Sequence, residues 1–123
     1  MIEVSFTDLV FTLTATMIII HVTIAFASLR YLVVPRRIGL PIAIYESAYY
    51  MALLAYALLN HYGAALLGIA GLPLVIHVGG AYLYVNGVLS YLSRNCNNLR
   101  YYGYYELSEL IFLVIIAASI LTH

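Results

Sequence analysis

Residues 9–29 read LVFTLTATMIIIHVTIAFASL, a stretch of 21 residues that contains no charged side chain. In a helix, about 20 apolar residues are enough to cross the hydrocarbon core of a bilayer, which is ~30 Å thick. No arginine or lysine precedes this stretch, so it lacks the basic region with which a cleavable signal peptide begins. We therefore predict a transmembrane helix that is retained in the protein.

The composition of the whole chain is typical of a membrane protein. Of its 123 residues, 65% are hydrophobic and 8% are charged, and the mean hydropathy is +1.01. So few polar residues cannot cover the surface of a soluble globule. The single Cys96 excludes an internal disulfide, and the few, scattered arginines exclude a groove for nucleic acid. We expect one helical transmembrane domain over residues 1–123, surrounded by membrane lipid.

Three further apolar runs follow the first one. Together they predict an all-α, polytopic integral membrane protein with four transmembrane helices over about 6–29, 38–60, 64–92 and 101–123. Pro73 is expected to kink the third helix, because it has no N–H group to donate. The uncharged part of the last run begins only at Leu110 and has 14 residues. An alternative therefore has three transmembrane helices and a C-terminal helix that lies on the membrane surface.

The positive charges predict how the chain is threaded. All of them fall in two short segments between apolar runs: Arg30, Arg36, Arg37, Arg94 and Arg100. Arginine in short loops is retained on the cytoplasmic side during insertion. We expect the cell membrane as the location, with both arginine-bearing loops in the cytoplasm and both termini outside.

Five histidine and glutamate side chains lie inside the predicted helices and more than one turn from their ends. His21, Glu46 and Glu109 are each nine residues from an arginine that marks a helix end, which places them at a common depth of roughly 13 Å at ~1.5 Å per residue. His77 and Glu106 lie in the third and fourth helices. Ionisable groups within a membrane are costly and usually face a bundle interior, so all five are candidate functional residues.

One interpretation of these residues is a haem b site. His21 and His77 would be its axial ligands, and Gly79, Gly80 and Ala25 would leave room for the macrocycle. In this interpretation the chain holds haem between its first and third helices.

A second interpretation is a proton relay or ion site formed by Glu46, Glu106 and Glu109 with the histidines. The sequence has no Glu-x-x-His pair, so it does not favour a di-iron centre, and it indicates no other metal site and no catalytic residue. A third interpretation is structural. In that case Glu46 hydrogen-bonds to a neighbouring helix, and the histidines satisfy backbone carbonyls such as that of Ile69, which Pro73 frees.

Part of the chain resembles the small K-type subunit of respiratory complex I and its antiporter relatives. The resemblance rests on Arg36 and Arg37, on Glu46 within the next helix, and on a third helix rich in glycine and alanine. In that family, glutamates on the helices carry a proton path, so the resemblance implies such a role for Glu46. The chain departs from the family because His77 stands where a second glutamate is expected and because a fourth helix is added.

Three function classes follow from these observations. Our first prediction is a small subunit of a larger energy-converting or electron-transfer membrane complex, which packs against other membrane subunits and holds haem b. The second is a homo-oligomeric channel or transporter for protons or cations. The third is a structural protein of a viral or cell envelope. The sequence leaves open whether the protein takes part in an enzymatic reaction.

Overall fold

The computed structural model describes residues 5–87 and 96–122, and this part of the chain forms four α-helices and no strand. Each helix is long and apolar enough to span a membrane. The helices are α1 (Phe6–Leu29), α2 (Arg36–Leu59), α3 (Ala64–Val85) and α4 (Cys96–Thr122). The predicted all-α fold with four such helices is therefore confirmed. The alternative, in which the C-terminal helix lies on the membrane surface, stays a prediction.

The end of the third helix differs from the prediction. We expected it to continue to Leu92, but α3 ends at Val85, and residues 88–92 lie outside the described part of the chain. The side-chain amide of Asn86 donates to the carbonyl of Tyr82 at 3.1 Å, and Gly87 has a φ of 80°. Glycine adopts this left-handed conformation without steric cost and ends many helices.

The start of the fourth helix also differs. We predicted a loop up to Arg100 and a helix from Tyr101, but the helix begins at Cys96. The extra turn brings Leu99 into the bundle, where it is 6% exposed. Burial of a leucine side chain is worth roughly 1.5–3 kcal/mol, which outweighs the weak helix propensity of the two asparagines in this turn.

The connection between α2 and α3 is as short as predicted. Tyr62 N–H donates to the carbonyl of Ala57 at 3.0 Å, and His61 has a φ of 55°. This pattern is a Schellman motif with a left-handed residue after the helix. It reverses the chain within a few residues, so α2 and α3 run antiparallel and pack along each other.

The helices form two closely packed pairs, α1 with α4 and α2 with α3, whereas α3 and α4 make few contacts in the described residues. Gly103 allows the α1–α4 approach. A Cβ atom at Gly103 would lie 2.8 Å from Cγ and Cδ2 of Leu29 and 3.3 Å from its backbone nitrogen. A small residue at such a crossing lets two helix backbones come close. The same crossing brings α4 alongside the buried face of α1.

The two polar faces of α1 have different surroundings. Thr14, His21, Ala25 and Ser28 are buried by the chain itself. Thr12, Thr16 and Thr23 are exposed on the opposite face, and their hydroxyls donate to the carbonyls four residues earlier at 2.8–3.0 Å. These exposed threonines are therefore satisfied without a second protein neighbour.

Candidate functional site

The fold brings together the five ionisable residues that the sequence singled out. They form one group, here called the His–Glu cluster: His21 on α1, Glu46 on α2, His77 on α3, and Glu106 and Glu109 on α4. All five are buried, with exposures between 0% for His21 and 8% for Glu46 and His77. Every helix contributes at least one member, so the cluster depends on the assembly of the whole bundle.

Backbone contacts orient both imidazoles. Nδ1 of His21 lies 2.9 Å from the carbonyl oxygen of Met17, and Nδ1 of His77 lies 2.7 Å from that of Pro73. A carbonyl oxygen can only accept, so each Nδ1 carries a hydrogen and donates it. Each histidine therefore directs only Nε2 towards the centre of the cluster. This is the arrangement in which the second ring nitrogen fixes the orientation of a metal-binding imidazole.

The carboxyl group of Glu109 bridges the two histidines. Its Oε2 lies 2.5 Å from Nε2 of His21, and its Oε1 lies 2.8 Å from Nε2 of His77. The hydroxyl of Tyr50 donates to Oε1 at 3.2 Å. Glu109 is thus held by three other side chains, which come from α1, α2 and α3.

The other two carboxyl groups flank this bridge. Oε2 of Glu46 lies 3.4 Å from Nε2 of His77, and its Oε1 lies 3.9 Å from Nε2 of His21. Oε2 of Glu106 lies 3.4 Å from Nε2 of His21, but it has no hydrogen-bond partner among the described residues. A buried carboxylate oxygen without a partner is costly. This oxygen of Glu106 is therefore an unused acceptor beside the cluster.

Hydrogen bonding fixes how many protons the bridge contains. Both Nδ1 atoms already donate, so each contact between an Nε2 atom and Glu109 needs one further proton, carried by either the imidazole or the carboxyl group. Without another cation, the two contacts together hold two protons. If these protons leave, the Nε2 lone pairs of both histidines and the Glu109 carboxylate face one another at the centre of the cluster.

Such a set of atoms can bind a metal ion. Two groups have ligand atoms within 4.8 Å of one another: His21 with Glu46 and His77, and His21 with Glu106 and Glu109. Ligands of a tetrahedral ion with bonds of about 2.1 Å are about 3.4 Å apart, and the cluster has two N–O distances of 3.4 Å. Because both groups use the one free nitrogen of His21, the geometry fits a single ion.

Tyrosine hydroxyls surround the cluster on α2. Tyr50 is fully buried, and its ring lies 4.7 Å from that of His77. The preceding residue, Tyr49, shares a hydrogen bond of 2.7 Å with the hydroxyl of Thr14. The sequence analysis did not assign Tyr50 to the site, although its position four residues after Glu46 places both on the same face of α2.

The structural interpretation, in which the histidines satisfy backbone carbonyls, accounts for only part of their contacts. Both histidines do contact backbone carbonyls, but His77 contacts the carbonyl of Pro73 and not that of Ile69, the carbonyl that Pro73 deprives of its donor. Contact with a carbonyl also uses only one nitrogen of each ring. The convergence of both Nε2 atoms on Glu109 has no counterpart in that interpretation.

No protein-family model matches this chain, and no curated protein or solved structure shows significant similarity to it.

Proposed function

We propose that the chain is an integral membrane protein whose His–Glu cluster binds one divalent transition-metal ion in exchange for protons. The observation that supports this most is the convergence of both Nε2 atoms on the carboxyl group of Glu109, while both Nδ1 atoms are held by carbonyls. Imidazole and carboxylate together suit ions such as Zn²⁺, Mn²⁺ and Fe²⁺. The protein belongs in this proposal to the cation-handling class.

Charge balance favours an exchange. The two bridging contacts hold two protons when no metal is bound, and one divalent ion carries the same charge. Metal ligands must be deprotonated, so binding of the ion releases protons. The cluster can therefore change its occupant without a change of net charge, which keeps the cost of burial similar in both states. This is the elementary step that proton-coupled movement of a cation requires.

A purely structural role accounts poorly for the cluster. A single charged residue at the centre of a membrane helix costs about 3 kcal/mol on insertion scales, and this bundle buries five ionisable groups. Apolar residues of similar volume usually give equal or greater stability than a buried ion pair. The free-energy cost of burying these five groups is explained if they bind an ion or transfer protons.

Haem b ligation by His21 and His77 stays a prediction with less support. The ring centroids lie 6.3 Å apart and the planes are inclined by 61°, but the Glu109 carboxyl group lies between the two Nε2 atoms. A haem iron at this place would require Glu109 to leave and both of its histidine hydrogen bonds to break. The small ion that we propose needs only an exchange of protons.

Metal titration of the purified protein tests the proposal. In a non-ionic detergent, after treatment with a chelator, titration calorimetry with Zn²⁺ and Mn²⁺ should show one ion per chain. Repeating the titration in buffers of different ionisation enthalpy should show the release of up to about two protons. Glu109→Gln should weaken binding roughly 100-fold or more, because the amide keeps the shape but loses the charge.

His61→Asn is the matched control for this titration. It removes an imidazole from the exposed α2–α3 turn, and asparagine tolerates the φ of 55° at this position. Its affinity should equal that of the unchanged protein. Equal affinity of Glu109→Gln, or failure of both ions to bind at millimolar concentration, would contradict the proposed metal site.

A proton relay without metal is the second candidate, and the continuous contact of His21, Glu109 and His77 favours it. In that case no ion binds, and Glu46→Gln should stop proton movement in proteoliposomes with little effect on folding. Proton movement that is unchanged in Glu46→Gln would exclude this alternative. Binding of an ion in the calorimetric titration therefore favours the metal site, and proton movement without ion binding favours the relay.

Membership of a larger complex stays a prediction, as do homo-oligomer formation and the envelope role. Purification from the native membrane in a mild detergent tests them together. Co-purifying membrane subunits would support the complex, and an absorbance spectrum of the same sample would reveal a b-type haem.

A further inference from the structure

A cavity of about 490 Å³ lies beside the His–Glu cluster. It occupies the gap between the α2–α3 pair and α4, where α3 and α4 make few contacts in the described residues. Glu46, His77 and Glu106 line it where it meets the cluster, and its other walls are mainly aliphatic side chains and tyrosine rings. Ligand sites for small organic molecules typically have this size, apolar walls and a few convergent polar groups.

The polar end of the cavity has more acidic than basic side chains beside it. The cluster has three carboxyl groups and two imidazoles. Two protons on the imidazoles or one divalent ion in their place balance only two carboxylates. No arginine is among the described residues that line the cavity. When all three carboxyl groups are ionised, one negative charge is therefore left for a further cation.

Glu106 is the carboxyl group beside which such a cation would bind. It lines the cavity and is 2% exposed, yet its Oε2 has no hydrogen-bond partner among the described residues. A ligand that donates an N–H to this oxygen would satisfy it, and a charged donor makes a stronger hydrogen bond than a neutral one. The ligand that fits this oxygen therefore has a positively charged group with a hydrogen to donate.

The walls of the cavity suit the rest of such a ligand. Tyr84, Tyr102 and Tyr105 line it together with aliphatic residues such as Ile42 and Ile76. Tyrosine faces attract cations that lie within about 6 Å of the ring, and the aliphatic walls accommodate a hydrocarbon group.

From these observations we propose that the cavity binds a lipophilic amine in its ammonium form. The ammonium group pairs with Glu106 beside the cluster, and the hydrocarbon part lies along the walls between α3 and α4. The inference goes beyond metal binding and does not rest on it, because its basis is the cavity itself and the Glu106 oxygen that has no hydrogen-bond partner among the described residues.

Gly80 offers a direct way to fill the cavity. It lines the cavity, and a Cβ atom built on it meets nothing within 4 Å, so Gly80→Phe places a ring in open space without a clash at the backbone. The neighbouring Gly79 also has nothing within 4 Å, but it is not part of the lining. Gly79→Phe is therefore the matched control for helix propensity and added bulk.

The test measures binding of radiolabelled dodecylammonium to the protein in dodecyl maltoside by equilibrium dialysis, with protein-free micelles as the background. We expect one saturable site. Gly80→Phe and Glu106→Gln should each weaken binding roughly tenfold or more, the loss expected when a charged hydrogen bond or its cavity is removed. Gly79→Phe should bind like the unchanged protein.

Unlabelled dodecanol decides whether the charge matters, since it has the same chain and a neutral hydroxyl donor. Failure of dodecanol to compete supports the proposal. Competition equal to that of dodecylammonium would overturn it in favour of a neutral hydroxyl compound or a lipid chain, as would unchanged binding by Gly80→Phe. Thermal unfolding of the same variants in detergent is the folding check. Metal titration of Gly80→Phe keeps the two proposals apart, because this variant should retain the ion with an affinity close to that of the unchanged protein.

Discussion

Glu109 and Glu106 lie one helical turn apart on α4, but they differ in their hydrogen-bond partners. Glu109 is hydrogen-bonded by His21, His77 and Tyr50. Oε2 of Glu106, in contrast, has no hydrogen-bond partner among the described residues. The first carboxyl group holds three helices to α4, whereas the second carries an unsatisfied acceptor that a bound cation would satisfy. The two residues are therefore expected to differ in what they contribute to stability.

Replacement of each by leucine tests this difference in protein that has been treated with a chelator. Glu109→Leu removes the shortest contact of two buried imidazole nitrogens and leaves them only carboxyl oxygens at 3.4 Å or more. The free energy of unfolding should therefore fall by about 1–3 kcal/mol. Glu106→Leu removes an oxygen that has no hydrogen-bond partner among the described residues and only a 3.4 Å contact with His21, so its loss of stability should be smaller. Thermal unfolding in detergent measures both. A larger loss for Glu106→Leu would contradict the hydrogen-bonding pattern described for the cluster.

The sequence allowed the members of the cluster to be identified but not their pairing. The spacing of His21, Glu46 and Glu109 from the arginines indicated a common depth, because the rise per residue of a helix is constant. Which side chain bridges the others depends on how each helix is rotated about its axis and on which helices are neighbours. Four runs that are apolar all round give little information on rotation, so the central position of Glu109 could not be predicted.

At the scale of the helices, the register between α1 and α4 sets the geometry of the cluster. Gly103 lies against Leu29 near one end of this pair, and His21 meets Glu109 further along it. A change of a few tenths of an ångström at the glycine crossing would be carried along two straight helices to the cluster. Close packing at Gly103 and ligand geometry at Glu109 are therefore coupled.

Gly103→Leu should accordingly affect both stability and metal binding. Its side chain would collide with Leu29, where a Cβ atom alone already comes within 2.8 Å, and would separate the helix backbones. We expect destabilisation of about 1–3 kcal/mol from overpacking, together with weaker metal binding in calorimetry. Gly71→Leu, at a position with nothing within 4 Å, should change neither. Unaltered metal binding in a destabilised Gly103→Leu protein would show that the cluster tolerates a shift of α4.

The prediction of the helices was most accurate where uncharged runs are long and least accurate near α3 and α4. The start of α1 at Phe6 and its end at Leu29 agree with the expected 6–29. For α4, polar residues at 97 and 98 indicated a loop, but tertiary packing of Leu99 extends the helix to Cys96. Local sequence does not show which nearby apolar residue will find a partner, so helix ends governed by packing are hard to predict.

At the scale of the whole molecule, the two described connections lie at opposite ends of the bundle. The segment after Leu29 joins α1 to α2 at one end, and the turn at His61 joins α2 to α3 at the other. The cavity reaches from the first of these ends, at Leu32–Val34, to the His–Glu cluster. If the arginine-bearing loops are cytoplasmic, as the positive-inside rule predicts, an amine would reach Glu106 from the cytoplasmic half of the membrane.

Cysteine labelling in intact cells tests this orientation. In a Cys96→Ser background, His61→Cys should react with a membrane-impermeant maleimide, because the α2–α3 turn is predicted to be outside. Leu32→Cys, which replaces a residue 59% exposed in the α1–α2 loop, should react only after the cells are permeabilised. Labelling of Leu32→Cys alone in intact cells would reverse the orientation, and labelling of both would contradict the crossing of α2. Because the cavity and the α1–α2 loop share one end of the bundle, the result also decides from which side of the membrane the proposed ligand arrives.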